Sequence, residues 1–567
     1  LTQELNGVSG SLQKQIIEFG RHIAGSAEIT AISLFDNYSV GITSTRATLE
    51  IVLVIHDFQP RLMSYLKILD GRAVIFFAVD QWIFERDAER GFLGEAFAGT
   101  LVFPYTAIIG KNYLHEHEII LKKRLILESL ENLVLSFPEL SYRIYIKPQY
   151  FMHEVILNRV RVFPPLAYSL SNINGAVARK DFEPVLQGYN EALKQLEAEK
   201  KVIISDGYVM IPKKFVDASQ NPRVRFINMS KNAPRTLFTS FFKAFPQLMN
   251  FFSQNSETFL NLQRLMIKKD AYPPRDFIDP QKYVFVPTSK GLVSLADRVS
   301  IQVFARKVLL NGEKGAIKFE PVGGVLNDVY LIKAYPNGVE QKVLVKRFKD
   351  WSGFKWFPLS MWSFGARSFA VLGRYRLGKE CAISEFLRCE GFNVPKILHV
   401  SHNERLVFME FIEGEDLSNG IRRIASSNGI ETAKKELSDI RQVGEIFARV
   451  HKSNIALGDT KPENVMVAPE GKIYLLDFEQ ASHTGDKAWD VAEFLYFSGH
   501  YLQPLSSAGK AEAIANSFIS GYLKGGGDVN IIRKAGASKY TRVFSIFTVP
   551  SVILAMSNAC KKATAPK

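Results

Sequence analysis

Runs of alternating or continuous apolar residues, separated by stretches with apolar positions every third or fourth residue, divide the chain into strands and helices. In the second half, Val343-Leu344-Val345-Lys346-Arg347-Phe348 is an apolar strand with one lysine in its middle. Val407 to Ile412 is a second apolar run, ending in the polar turn Glu413-Gly414-Glu415. Val465-Met466-Val467 and Ile473-Tyr474-Leu475-Leu476 predict two short buried strands joined by the turn Pro469-Glu470-Gly471-Lys472. In the first half, strands are expected from Thr30 to Phe35 and from Leu49 to Ile55, flanked by helices over Leu12–Ala24 and Arg61–Leu69. Residues 115–135 predict an amphipathic helix with a solvated charged face, on which His115 and His117 diverge too far to share a metal. Pro184–Lys200 predicts another helix, followed by a hairpin around Asp206-Gly207. The apolar run Phe544–Met556 contains Pro550 and is too short to span a bilayer, so it predicts a buried C-terminal helix.

Length and composition narrow the class. A chain of 567 residues exceeds one core and predicts three to four domains. With 47% hydrophobic and 23% charged residues it is globular, and a net charge of +14 favours an anionic partner without defining one. Cys381, Cys389 and Cys560 have neither metal-ligand spacing nor a disulfide framework. With no leader peptide or transmembrane segment in view, a cytoplasmic location is expected.

The densest chemistry lies between Leu457 and Glu479. Asp459, Lys461, Asn464 and Asp477 occur at the spacing that phosphoryl transfer requires. An aspartate must meet the acceptor hydroxyl, a cation must neutralise the moving phosphoryl group, and an amide oxygen with a carboxylate must hold magnesium. The flanking strands place Asn464 and Asp477 at the ends of one hairpin, facing one cleft. A lone ammonium rarely sits within a buried strand unless phosphate or carboxylate meets it, so Lys346 is the candidate phosphate clamp. Its helical partner is expected to be Glu380, with Glu385 the competitor. Gly323-Gly324 before it is suited to backbone approach to phosphates, although such a pair also makes an ordinary hairpin. The strand through Glu410 stands where adenine would be gripped.

These motifs resemble the protein kinase-like superfamily from about residue 295 to 567, in its compact atypical branch. Asp459-x-Lys461-Pro462-x-Asn464 matches the catalytic loop of Ser/Thr kinases, and Asp477-Phe478-Glu479-Gln480 is similar to the metal-binding segment of RIO kinases. Gly458-Asp459 and Gly485-Asp486-Lys487-Ala488-Trp489-Asp490 are similar to the KEOPS-complex kinase. The resemblance implies a two-lobed fold, ATP and Mg2+ as cofactors, and catalytic roles for Asp459 and Lys461. It makes Asn464 and Asp477 the metal ligands, with Lys346, Glu380, Gly323, Gly324 and Glu410 at the nucleotide. Asp490 would brace the catalytic loop. Three departures stand out: Leu457 replaces the usual histidine, Glu479 stands in place of a glycine, and no long activation segment follows Asp477.

Residues 1–150 resemble a minimal nucleotidyltransferase, but Asp36-Asn37 and Thr48-Leu49-Glu50 stand where Gly-Ser and Asp-x-Asp would be. Without both carboxylates no transfer is expected there; a degenerate, substrate-positioning domain is the favoured reading, with an unrelated α/β domain the alternative. Residues 151–285 read as a helical, winged-helix-like module, followed by a linker at 268–275. Arg223, Arg225, Lys231, Arg235 and Lys243, and the aromatic and basic insertion 349–376 with Trp351, Trp356, Trp362, Arg374 and Arg376, could meet RNA or another anionic partner. Packing against a neighbouring domain, or contact with a lipid surface, would also account for the insertion. The expectation is an α+β multi-domain protein: an N-terminal α/β domain, a middle winged-helix-like module, and a C-terminal kinase-like domain. Its expected activity is phosphorylation of protein serine or threonine hydroxyls, with a small-molecule kinase of the aminoglycoside or choline type, or an RNA-associated ATPase, as rivals.

Overall fold

The computed structural model describes residues 10–35, 49–162, 183–220, 278–310, 315–323, 327–350, 370, 372–427, 429–502, 508–545 and 548–564. They form two compact units, one within residues 1–136 and 144–284, the other within 137–143 and 285–567.

The first unit holds α1 (Gly10–Ala24), β1 (Ile29–Phe35), β2 (Leu49–Ile55), β3 (Leu62–Leu69), β4 (Arg72–Asp80), α2 (Gln81–Arg90), β5 (Tyr105–Ile109) and α3 (Lys111–Ser136). Its sheet has the order β3-β4-β2-β1-β5; β2 and β4 are parallel and the other pairs antiparallel. Leu12, Ile16 and Ala24 of α1 are buried in the same core as Ile51, Leu53 and Phe76. The helix expected over Arg61–Leu69 is instead strand β3. Leu62, Leu66 and Leu69 have helical spacing, but Asp70 and Gly71 both take left-handed conformations (φ 49° and 74°) and set Leu69 opposite Arg72. Such a two-residue turn returns the chain as a hairpin, and the apolar strand β4 needs a partner on that side. As an edge strand, β3 leaves Met63, Leu66 and Ile68 exposed.

Asp36, Asn37 and Thr48 lie outside the described residues; Glu50 is buried in β2, opposite Phe35. Nε2 of His115 lies 3.1 Å from Glu191, whereas Nδ1 of His117 lies 2.8 Å from the carbonyl of Tyr113. Among the described residues no group of three or more His, Cys, Asp or Glu side chains is arranged to hold a metal. After β6 (Tyr145–Ile146) and α4 (Gln149–Val162) come α5 (Glu183–Ala198) and the hairpin β7 (Ile203–Ser205) and β8 (Tyr208–Met210), turning at Asp206-Gly207 with positive φ at both. The basic cluster 223–243 and the linker 268–275 lie outside the described residues.

The second unit begins with the hairpin of β9 (Val284–Thr288) and β10 (Gly291–Ser294). A five-stranded antiparallel sheet follows, ordered β11-β12-β13-β15-β14. Its strands are β11 (Ile317–Gly323), β12 (Asp328–Ala334), β13 (Gln341–Arg347), β14 (Ile397–Ser401) and β15 (Leu406–Glu410), with α6 (Gly373–Cys389) between β13 and β14. The core here is Phe304, Leu309, Ile332, Val343, Val345 and Phe408. Beyond Glu410 the chain enters a second core with β16 (Glu415–Asp416), α7 (Leu417–Ser426), α8 (Lys434–Lys452), β17 (Val465–Val467), β18 (Ile473–Leu475) and α9 (Lys487–His500). Two separate cores joined by one extended segment make a two-lobed unit. Gly414 closes that segment at φ 158°, where a Cβ would come 2.5 Å from the Val467 carbonyl oxygen. The helix Pro550–Lys562 buries Val552, Met556 and Cys560, with Pro550 in its first turn. No helix among the described residues is long and apolar enough to cross a membrane.

Candidate active site

Lys346 lies in β13 between Val329 and Val407 of the neighbouring strands and is only 6% exposed. A buried ammonium is tolerated only where opposite charge surrounds it. Its Nζ stands 2.6 Å from Asp477 Oδ1, 2.9 Å from Glu479 Oε2 and 3.4 Å from Glu380 Oε2. Burial works to strip its proton, but the charges of Asp477, Glu380 and Glu479 outweigh this and hold it well above the usual lysine range.

Glu380, from the middle of α6, also accepts from the backbone N of Phe478 at 3.1 Å. Burial raises its carboxyl to about 7, against the pull of Lys346, with Asp477 and Glu479 adding to the rise. Glu385, the competitor, lies one turn further and is engaged by Arg388 at 2.7 Å. Asp477 follows β18 with φ 62°, a left-handed conformation for a non-glycine residue, of a kind that concentrates at functional sites. Its carboxyl is also raised by burial, which Lys346 opposes and which the charges of Glu479 and Asp459 reinforce. The charges of Asp459 and Asp477 therefore act on one another.

The loop ahead of β17 carries the other charged groups. Lys461 Nζ lies 3.1 Å from Asp459, and its proton is held above the ordinary range: burial opposes this, but Asp459, Glu493 and Asp477 prevail. The Asn464 amide nitrogen donates to the Asp459 carbonyl at 3.0 Å, which leaves its side-chain oxygen as the group suited to a cation. The Leu476 N–H donates to the Asn464 carbonyl at 2.9 Å, closing the base of the β17–β18 hairpin. Asp459 Oδ1 is buried without a hydrogen bond of good geometry, so it retains capacity to accept one from a hydroxyl.

Asp490 in α9 accepts from the backbone N–H groups of Leu457 (2.6 Å) and Gly458 (2.8 Å). With leucine at 457, the imidazole in this region is His451 of α8, 3.0 Å from Asp490 and 2.8 Å from the Tyr522 hydroxyl. Glu493 accepts from the Thr460 N–H at 2.9 Å and from the Trp489 indole at 3.1 Å. The loop is thus fixed by two buried carboxylates of α9.

Gly323 ends β11, opposite Val329 across a register irregularity. Gly324 lies outside the described residues. Glu410 ends β15, its carboxylate accepting from the backbone N of Lys396 at 3.2 Å. Three residues outside the set expected from the sequence join the site. Glu479 meets Lys346, Arg376 donates to Glu479 at 3.0 Å, and Asn327 donates to Glu479 at 2.6 Å. Arg376 had been grouped with exposed cations of the 349–376 insertion, yet it is 0% exposed. It falls within α6 on the turn before Glu380, a spacing that could have flagged it. Trp351, Trp356 and Trp362 lie outside the described residues.

Comparison with known proteins agrees with this geometry. Residues 340–522 match the lipopolysaccharide kinase (Kdo/WaaP) family model. The KEOPS complex subunit Bud32 of Pyrococcus abyssi is 30% identical over 107 residues, 19% of this chain and 45% of that protein. A probable serine/threonine-protein kinase, the BUD32 homolog of Archaeoglobus fulgidus, is 29% identical over 161 residues, 28% of this chain and 72% of that protein. Serine/threonine-protein kinase PrkC of Bacillus subtilis is 26% identical over 119 residues, 21% of this chain and 18% of that protein. The C-terminal part of the chain is a protein kinase-like domain of the atypical kind. The chain spans less than half of the Pyrococcus relative.

Proposed function

We propose that the protein is an ATP- and Mg2+-dependent phosphotransferase acting on an alcohol group, and read it as an atypical serine/threonine protein kinase. The observation that carries this is the 2.6 Å contact of buried Lys346 with Asp477, whose carboxyl also feels the charge of Asp459. The residues fit a metal–nucleotide. Asn464 offers an uncommitted amide oxygen, Asp477 a carboxylate, and Lys346 a charge held positive. Asn464 and Asp477 would hold magnesium, which when bound screens the negative charge of the phosphates. Lys346 with Glu380 would orient the α- and β-phosphates. The turn at Gly323 and Gly324 and the strand end at Glu410 would border the nucleotide. Asp459 would accept the hydrogen bond of the acceptor hydroxyl and take its proton as the phosphoryl group transfers. Lys461 would steady the transferred group. The serine/threonine kinases among the relatives support a protein acceptor.

A second reading has a sugar hydroxyl as the acceptor, favoured by the match of residues 340–522 to a lipopolysaccharide kinase model. Burial of Arg376, one of the cations considered for an RNA partner, weighs against an RNA-associated ATPase. We read residues 1–150 as an inactive nucleotidyltransferase-like or unrelated α/β domain with a substrate-positioning role, and residues 151–285 as a winged-helix-like module. The helix α5 with its Asp206-Gly207 hairpin is in keeping with the latter. Three free cysteines suit a cytoplasmic setting. The test is incubation with γ-labelled ATP and magnesium. Label on protein supports the first reading and label on glycolipid or metabolite the second. Absence of transfer to any acceptor, by a preparation that binds nucleotide, would overturn both.

A further inference from the structure

Lys346 has three carboxylates around it, and they are not equivalent. Asp477, the nearest at 2.6 Å, is also the candidate metal ligand, so its oxygens have a second task. Glu380 stands at 3.4 Å, and the same Oε2 accepts from the Phe478 N–H at 3.1 Å. Glu479 stands at 2.9 Å and is itself fixed from two sides. Arg376 Nη1 donates to its Oε1 at 3.0 Å, while the Asn327 amide donates to its Oε2 at 2.6 Å. Arg376 in turn donates to Asn327 Oδ1 at 2.8 Å and to the Lys349 carbonyl. Both cations also approach the Phe348 ring, Lys346 Nζ at 5.0 Å and Arg376 Cζ at 5.8 Å from its centroid.

A carboxylate held by two fixed donors is preorganised, and its bond to a third group is set by geometry rather than by rotamer choice. Deepening the kinase reading above, on which this inference rests, we propose that Glu479 is the principal positioning residue for Lys346, clamped by Arg376 and Asn327. Glu380 instead serves chiefly to hold the Asp477–Phe478 backbone. Because Asn327 directly precedes β12 and Arg376 lies in α6, the clamp ties the start of that strand and the helix to the candidate metal-binding segment. The position where a kinase-like chain would carry glycine is here a structural carboxylate.

The test compares Glu479→Gln with Glu380→Gln in the full chain, by calorimetric titration with the magnesium complex of a non-hydrolysable ATP analogue. Glu479→Gln should raise Kd about tenfold, the loss of one charge-assisted contact, and Glu380→Gln about threefold or less. In turnover, Glu479→Gln should raise KM for ATP with little change in kcat, whereas a merely structural lesion would lower the active fraction and leave Kd alone. Should Glu479→Gln fail to fold by circular dichroism, Asn327→Ala loosens the same carboxylate without leaving Lys346 unpaired and should raise Kd about threefold. A Kd unchanged in both Glu479→Gln and Asn327→Ala, or a larger loss in Glu380→Gln, would overturn the assignment. Failure of the wild-type protein to bind the analogue would instead overturn the nucleotide reading itself.

Discussion

His483 Nδ1 lies 2.7 Å from Glu139 Oε2, although 344 residues separate the two in the chain. The segment 137–143 therefore belongs structurally to the kinase-like unit. Tyr142 stacks on His483 with centroids 4.2 Å apart, and Arg143 donates to the Cys389 sulfur at 3.1 Å, at the end of α6. The segment thus touches both the helix that carries Glu380 and the stretch that follows Asp477. Glu139→Ala leaves buried His483 without its carboxylate and should destabilise this unit by about 1–3 kcal/mol. Chemical denaturation, followed through the C-terminal tryptophan Trp489, measures this; an unchanged midpoint would show the contact to be incidental.

Asp459 and Asp477 should separate chemistry from binding. Asp459→Asn keeps the loop geometry but removes the proton acceptor, so turnover should fall about 10²–10⁴-fold while nucleotide affinity is retained. Asp477→Ala removes a metal ligand and the nearest partner of Lys346, so both affinity and turnover should be lost. Equilibrium binding and single-turnover assays on the two variants distinguish the roles; persistence of transfer in Asp477→Ala would place the site elsewhere.

The carboxyl of Glu380, raised to about 7 from an ordinary 4.5, makes stability fall as pH rises between those values. The folded protein binds that proton more tightly than the unfolded chain, so the contribution is full below about 4.5 and lost above about 7. Glu479, lowered to about 2 because Lys346 and Arg376 outweigh burial, acts in the opposite sense, losing its contribution only as pH falls below 4.5 towards 2. Glu380→Gln should therefore flatten the melting temperature against pH from 4.5 to 7, relative to wild type. Calorimetry at half-unit intervals reads it, and parallel profiles would refute it.

Magnesium and nucleotide together should stabilise the folded chain, because the site that binds them does not exist in the unfolded one. At a hundredfold excess over Kd the gain is about 2.7 kcal/mol. Thermal melts with ATP plus Mg2+, and again with excess EDTA, should differ by several degrees; equal melts at saturating ligand would count against a metal-dependent site.

Much of the C-terminal unit was legible because its signals are local. The lysine in the apolar run 343–348, the hairpin strands around Pro469–Lys472 and the Asp459–Asn464 spacing each rest on neighbours a few residues apart, and strand periodicity places them. The misread stretch was 61–69, where leucines at helical spacing concealed an edge strand whose hairpin was set by Asp70-Gly71.

The sequence by itself determined which residue types were available for phosphoryl-transfer chemistry, and in what order along the chain. Only the tertiary structure decided how three carboxylates are arranged around Lys346, that Arg376 is buried rather than presented to a partner, that the imidazole beside Asp490 is that of His451, and that Glu139 pairs with His483. These are contacts between residues distant in sequence. Their energies depend on burial and on distances of about 3 Å, which no local pattern of polar and apolar positions encodes.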